Sequence, residues 1–170
     1  VTCDNGIAVE EFCQTSEPGI YAAGDCTQHP SEVYGCRLRL ESVHNAIEQA
    51  KTAAAAICGS AKPYRQVPWF WSDQYDLKLQ TAGLNRGYDQ VVIRGDPDTR
   101  SFAAFYLRDG RMLAVDAINR PVEFMAATLS YEINNTDKIS GFVSECQRMG
   151  IAILPPDVNA SDWAYRGEGD

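Results

Sequence analysis

Asp25, Trp69 and Trp71 are the residues of this 170-residue chain whose types and neighbours could do chemistry. Asp25 closes the run Gly19-Ile20-Tyr21-Ala22-Ala23-Gly24, which is short, apolar and reads as a buried strand ending in a tight turn. A carboxylate at the carboxyl end of a strand stands where open α/β sheets take their ligands. The small residues Ala22, Ala23 and Gly24 would let a ligand approach the backbone closely. The competing reading is that Asp25 only caps the turn. Trp69-Phe70-Trp71, beside Asp73, is either a strand with one aromatic in a core or an aromatic wall over a planar ligand. His44 reads as a structural polar residue, since a lone histidine is weak support for catalysis. No side chain is singled out as catalytic. The cysteines Cys3, Cys13, Cys26, Cys36, Cys58 and Cys146 form no C-x-x-C, and the only histidines are His29 and His44, so a metal site or a redox dithiol is poorly supported.

The elements that must position these groups follow from pattern. Ile7-Ala8-Val9 follows the Asn5-Gly6 turn signal as a hairpin or strand end. Thr27 to Gly35, with Pro, Ser and Gly, reads as a loop. Glu41 to Cys58 is the clearest helix, with Val43, Ala46, Ile47, Ala50, Ala54 and Ile57 on one face expected to pack on a sheet, and Gly59 just past its end. A domain boundary is expected near Lys62-Pro63-Tyr64. Downstream, Leu77 to Gln80, Val91 to Ile93, Phe102 to Leu107 and Met112 to Ile118 read as strands of a meander. Asp109-Gly110 between the last two is a strong hairpin signal. The tail holds two helices, Val122 to Ile133 and a second opened by Thr136 or Asp137 and ended by Gly150. Leu154-Pro155-Pro156-Asp157 reads as extended, and Arg166 to Asp170 as frayed.

Length and composition allow one ordinary domain or two small ones with a usable core. The net charge of −8 disfavours nucleic acid as a partner. Val1 to Arg120 carries 15 acids and 12 bases, net −3, and Pro121 to Asp170 carries 8 acids and 3 bases, net −5. No apolar run approaches the roughly 20 residues that span a bilayer, and nothing at the start resembles a signal peptide. The expectation is a cytoplasmic protein with six reduced thiols, mostly buried. The missing initial Met suggests a fragment or a processed chain.

Thr15-Ser16-Glu17-Pro18-Gly19-Ile20-Tyr21-Ala22-Ala23-Gly24-Asp25-Cys26 resembles the second flavin-binding motif of two-dinucleotide-fold flavoprotein reductases. The resemblance implies FAD, with Gly24 and Asp25 at the cofactor and Asp25 accepting from a ribityl hydroxyl. Glu41-Ser42-Val43-His44-Asn45-Ala46 is similar to the helix start that faces the flavin pyrimidine edge in the same family. It places Glu41, Ser42 and Val43 at the cofactor, where the positive end of the helix would favour reduced flavin. The stretch V-P-W-F-W-S-D-Q-Y-D-L-K-L-Q, with the following A-G-L, G-Y-D and R-G, resembles ferredoxin reductases of the putidaredoxin-reductase type. Such enzymes use FAD to carry electrons from NAD(P)H to a ferredoxin-type iron–sulfur protein. The resemblance puts a tryptophan against the isoalloxazine, with Trp71 first and Trp69 as the alternative. The fold it implies is an α+β or α/β fragment: residues 1–61 end an FAD-binding dinucleotide fold, 64–120 form a small antiparallel β-meander domain, and 121–166 a helical tail.

The reductase pattern is expected to run to about Ala126. Pro121 to Tyr165 instead resembles the alpha subunit of bacterial DNA polymerase III, through P-V-E-F-M-A-A-T-L-S, N-N-T-D-K-I, E-C-Q-R-M-G-I and L-P-P-D-V-N-A-S-D-W. A crossover between the two patterns would lie inside the shared P-x-E-F-M-A, as in a chimera, and no polymerase site residue is carried over. The chain contains no G-x-G-x-x-G, whereas the reductase family needs one such fingerprint for FAD and one for NAD(P)H. The expectation is therefore a reductase piece, with NAD(P)H bound outside it and no turnover by itself. The alternative is a non-catalytic interaction module.

Overall fold

The computed structural model describes residues 1–155 and 164–167. The chain divides into two units, Val1–Phe70 and the residues from Trp71 on. The division falls after the Lys62-Pro63-Tyr64 link because Tyr64 is tied into the first unit. Its N–H donates to Glu11 O at 2.7 Å, and its hydroxyl donates to Asn45 Oδ1 at 2.9 Å.

The first unit holds β1 (Ile7–Ala8), β2 (Thr27–Ser31), β3 (Cys36–Leu38) and α1 (Val43–Ile57). The strands lie in the order β1-β2-β3, with β1 parallel to β2 and β2 antiparallel to β3. Two expectations are corrected here. Gly19 to Ala23 forms no buried strand. It runs along Cys13 to Thr15, with Ala22 N–H donating to Cys13 O and Thr15 N–H to Ile20 O, and a single bridge joins Gln14 to Tyr21. Ile20 is 50% exposed. The expected loop Thr27 to Gly35 is instead the β2–β3 hairpin. Pro30 is tolerated there because β1 pairs only with Thr27 and Gln28, so no neighbour asks for the N–H that proline lacks.

α1 starts at the expected place, where Ser42 Oγ accepts from Asn45 N–H at 3.2 Å. Ser42→Ala should cost about 1 kcal/mol, read as a lowered urea midpoint by circular dichroism. The face it buries differs from the expected one. Asn45, Gln49 and Ala53 are buried, while Val43, Ile47 and Ile57 are 57%, 48% and 65% exposed. Hydrogen bonds, not apolar contact, orient the helix. The expectation of mostly buried thiols is also corrected: Cys13 and Cys146 are buried, but Cys3, Cys26, Cys36 and Cys58 lie at the surface.

The second sheet orders β4 (Trp69–Gln74), β5 (Leu77–Gly83), β8 (Arg111–Ile118), β7 (Ser101–Arg108) and β6 (Gln90–Asp96). β6, β7 and β8 form the expected antiparallel run. β8 then returns beside β5, so the sheet is a Greek-key arrangement rather than a plain meander. Asp109 and Gly110 turn the β7–β8 hairpin at φ 51° and 72°, the left-handed pair that matches strand twist.

α2 (Pro121–Tyr131) lies against β5 and β8 and buries Glu123, Phe124, Met125, Ala127, Thr128 and Leu129. Pro121 occupies the first turn, where no N–H is needed. α3 (Thr136–Arg148) is capped by Asn135, whose Oδ1 accepts from Lys138 N–H, rather than by Thr136 or Asp137. Gly150 ends it at φ 74°. Leu154 and Pro155 have no regular structure, and Pro156 and Asp157 of the expected extended arm lie outside the described residues. The expected fraying at Arg166 is corrected for the residues described there. Ser130 Oγ donates to Tyr165 O at 3.1 Å, and Arg94 Nη1 donates to Gly167 O at 3.3 Å.

Candidate functional site

The turn at Gly24 and Asp25 is built by the chain around it. Gly24 has φ 89°, a conformation that favours glycine. Its α-carbon faces Ala46 of α1, whose methyl would stand 3.5 Å from any Cβ added there. The Gly24 N–H donates to Gln49 Oε1 at 2.7 Å, and Thr27 Oγ1 lies 2.7 Å from the same oxygen and 2.8 Å from Gly24 O, with its one proton shared between them. The turn is therefore bolted to the second turn of α1, leaving the Asp25 carboxylate at the surface.

The start of α1 is joined to the same turn by Arg39. Its guanidinium donates to Asp25 O at 3.4 Å and pairs with the Glu41 carboxylate at 2.7 Å. Asn45 Nδ2 donates to Leu40 O at 3.0 Å and fixes the approach to the Ser42 cap. No carboxylate lies in the first turn, so the positive end of the helix is not neutralised from within. Trp69 stacks at a 38° tilt on His44, with ring centroids 4.9 Å apart. Gly24, Asp25, Glu41, Ser42, Val43 and Trp69 thus all belong to the first unit, clustered on the start of α1. Trp71 belongs to the second unit and is 41% exposed.

The groups that hold this arrangement were not legible from periodicity. Gln49 is fully buried. Because a backbone N–H can only donate, the amide oxygen of Gln49 must face Gly24. Its NH₂ then faces His29 Nδ1, 3.0 Å away. His29 Nδ1 must accept, so the imidazole is neutral with its proton on Nε2. Burial, and to a lesser degree the nearby Arg37 charge, lowers the His29 pKa to about 4. Tyr64 packs edge-on to His29 at 4.8 Å, and burial raises its phenol pKa. A cavity of about 220 Å³ opens beside this pair, lined by Glu11, Glu32, Val33 and Arg65 among others.

The site offers a surface carboxylate that can accept from hydroxyls. Beside it stands a helix end that favours an edge carrying negative charge. That set suits the ribityl chain and pyrimidine edge of a flavin.

Residues 69–136 match the family described as reductase C-terminal, and residues 1–50 that described as pyridine nucleotide-disulphide oxidoreductase. The chain is 50% identical over 121 residues to putidaredoxin reductase of Pseudomonas putida, covering 71% of this chain and 29% of the relative. Over its matched residues the chain is similar to ferredoxin reductases of the putidaredoxin reductase type. A ferredoxin reductase subunit of a 5,5'-dehydrodivanillate O-demethylase from a Sphingobium species is 52% identical over 122 residues, covering 71% of this chain and 30% of the relative. A crystal structure of the covalent putidaredoxin reductase–putidaredoxin complex superposes with a TM-score of 0.69 at 49% identity, covering 72% of this chain and 30% of that one. The chain spans about three tenths of the length of the curated relatives it matches. The family match continues to residue 136, beyond the expected end near Ala126 and through the whole of α2.

Proposed function

We propose that this chain carries the flavin-binding turn and the C-terminal domain of a reductase that passes electrons from NAD(P)H through FAD to a ferredoxin-type iron–sulfur protein. The observation that carries the proposal is the Gly24–Asp25 turn docked on the start of α1, within a sequence about half identical to named ferredoxin reductases. FAD, when bound, supplies the step from two-electron hydride chemistry to one-electron transfer. The protein's part is to bind and orient. Asp25 accepts from a ribityl hydroxyl. The α1 start, with Ser42 and Val43, faces the pyrimidine edge and favours its anionic form. Glu41 holds Arg39 against the Asp25 carbonyl. Trp69, seated on His44, and Trp71 are the aromatic candidates for the ring face.

On this reading the protein works in the cytoplasm, whose reducing conditions suit its six cysteines. The polymerase-like tail brings no second activity to the proposal. Its α2 serves the reductase domain by covering the sheet.

The test is a titration of the purified chain with FAD, followed by quenching of flavin and tryptophan fluorescence. Saturable binding is expected, at least tenfold weaker in Asp25→Ala. Weakening in Trp71→Ala or Trp69→Ala identifies the ring-facing residue. Absence of binding at high micromolar FAD would sink the flavin reading for this chain and favour the interaction-module alternative.

A further inference from the structure

We infer that Gln49 is the positioning residue of the flavin half-site, holding the Gly24–Asp25 turn against α1 through an amide whose orientation is locked by neutral His29. This rests on the proposed flavin reading and extends it to a residue that touches no ligand. The chain of forced roles is short. Gly24 N–H is a donor only, so Gln49 must present its oxygen. Thr27 Oγ1 lies 2.7 Å from the same oxygen and shares its one proton between that oxygen and Gly24 O. The Gln49 NH₂ is left to His29 Nδ1, which must accept. A Gln49 side chain turned over would bring an NH₂ against the Gly24 N–H, donor to donor. The turn that carries Asp25 thus has one arrangement while His29 is neutral. A buried amide that loses such partners is penalised, and the Gly24 N–H would be buried without an acceptor.

The groups that face His29 are few. Tyr64 stands edge-on to it, Arg37 on β3 lies near, and Glu11, Glu32 and Arg65 line the adjacent cavity. Arg65 and Glu32 pair with each other at 2.8 Å. None replaces Gln49 at Gly24.

Two variants separate positioning from bulk. Gln49→Leu keeps the volume and removes both polar ends. Gln49→Glu keeps an acceptor for Gly24 and Thr27, and its second oxygen is satisfied only when His29 carries a proton on Nδ1. The neutral imidazole supplies that proton by carrying it on Nδ1 instead of Nε2, so this rescue holds whether the ring is neutral or protonated.

The experiment measures FAD affinity of the purified unaltered chain and both variants from pH 5 to 8, with Gly24 amide hydrogen exchange recorded without FAD. The expected result for Gln49→Leu is retained α1 circular dichroism, lost Gly24 protection and FAD binding at least tenfold weaker. For Gln49→Glu, affinity should approach that of the unaltered chain across the range. Equal affinity of Gln49→Leu and the unaltered chain, with Asp25→Ala still impaired, overturns the inference and leaves the flavin reading standing. A Gln49→Glu affinity as weak as that of Gln49→Leu at every pH also overturns it. If the unaltered chain binds no FAD, the flavin reading falls and this inference falls with it.

Discussion

Glu123→Ala should destabilise the second unit by about 3 kcal/mol. Glu123 is 5% exposed, and one carboxylate oxygen faces two guanidinium groups, Arg120 Nη1 at 3.3 Å and Arg94 Nε at 3.5 Å. Arg94 sits on β6, Arg120 at the N-cap of α2 and Glu123 in the first turn of α2, so one carboxylate ties β6 to the start of α2. Arg94 also reaches Gly167 O, and Arg120 reaches Ser101 O at 3.4 Å. Removing the carboxylate leaves two cations facing each other with nothing between. The arginines are 33% and 26% exposed, which lets water recover part of the loss and keeps the estimate at the lower end for a broken buried pair. In a unit of this size about 3 kcal/mol is on the order of 10–20 °C in Tm. Glu123→Gln keeps the shape and one acceptor and should lose about half as much. Thermal unfolding followed by circular dichroism checks both. A Glu123→Ala midpoint within 2–3 °C of the unaltered chain, roughly half a kcal/mol, would mean that the apolar face of α2 alone holds the helix.

That face was legible in advance, and so was most of the second sheet. Phe124, Met125 and Leu129 recur at helical spacing and are buried, but Ile133, expected on the same face, lies past the end of α2 and is 40% exposed. The Asp109-Gly110 pair specified its hairpin because only left-handed residues close a two-residue turn between twisted strands. Strand order was less legible, since nothing in the pattern of β5 states that its neighbour is β8 rather than β6. In the first unit the pattern misled where polar bonds outweigh apolar contact. Alanine and isoleucine spacing on α1 pointed to one face. Asn45 and Gln49 turned the other inward, because each finds partners at hydrogen-bond distance in Tyr64, Leu40, Gly24, Thr27 and His29. Periodicity counts side chains and cannot count partners. The resemblance of the Asp25 and Glu41 motifs placed both at one site, and the structure joins them through Arg39, which lies outside both motifs, and Ala46, the last residue of the second.

Acid should loosen the first unit earlier than surface charge alone would. His29 is 3% exposed, and its folded pKa is about 4, against an ordinary value of 6.5. The unfolded chain therefore binds one more proton than the folded one between these values. Stability from this group is fully present above about pH 6.5, is lost progressively as pH falls toward 4 and changes no further below that. The span is worth roughly 3 kcal/mol. Urea unfolding from pH 7.5 to 4 should show the fall. His29→Phe removes the titration and leaves the Gln49 NH₂ without its acceptor, so it should be less stable than the unaltered chain at pH 7.5, by about 1–2 kcal/mol. As pH falls, the unaltered chain should lose this advantage and drop to or below the variant near pH 4. A stability gap that stays constant across the range would show that the imidazole binds its proton alike in the folded and unfolded chain. The fold would then admit the imidazolium below about pH 6.5, and a neutral His29 would not be what locks the Gln49 amide.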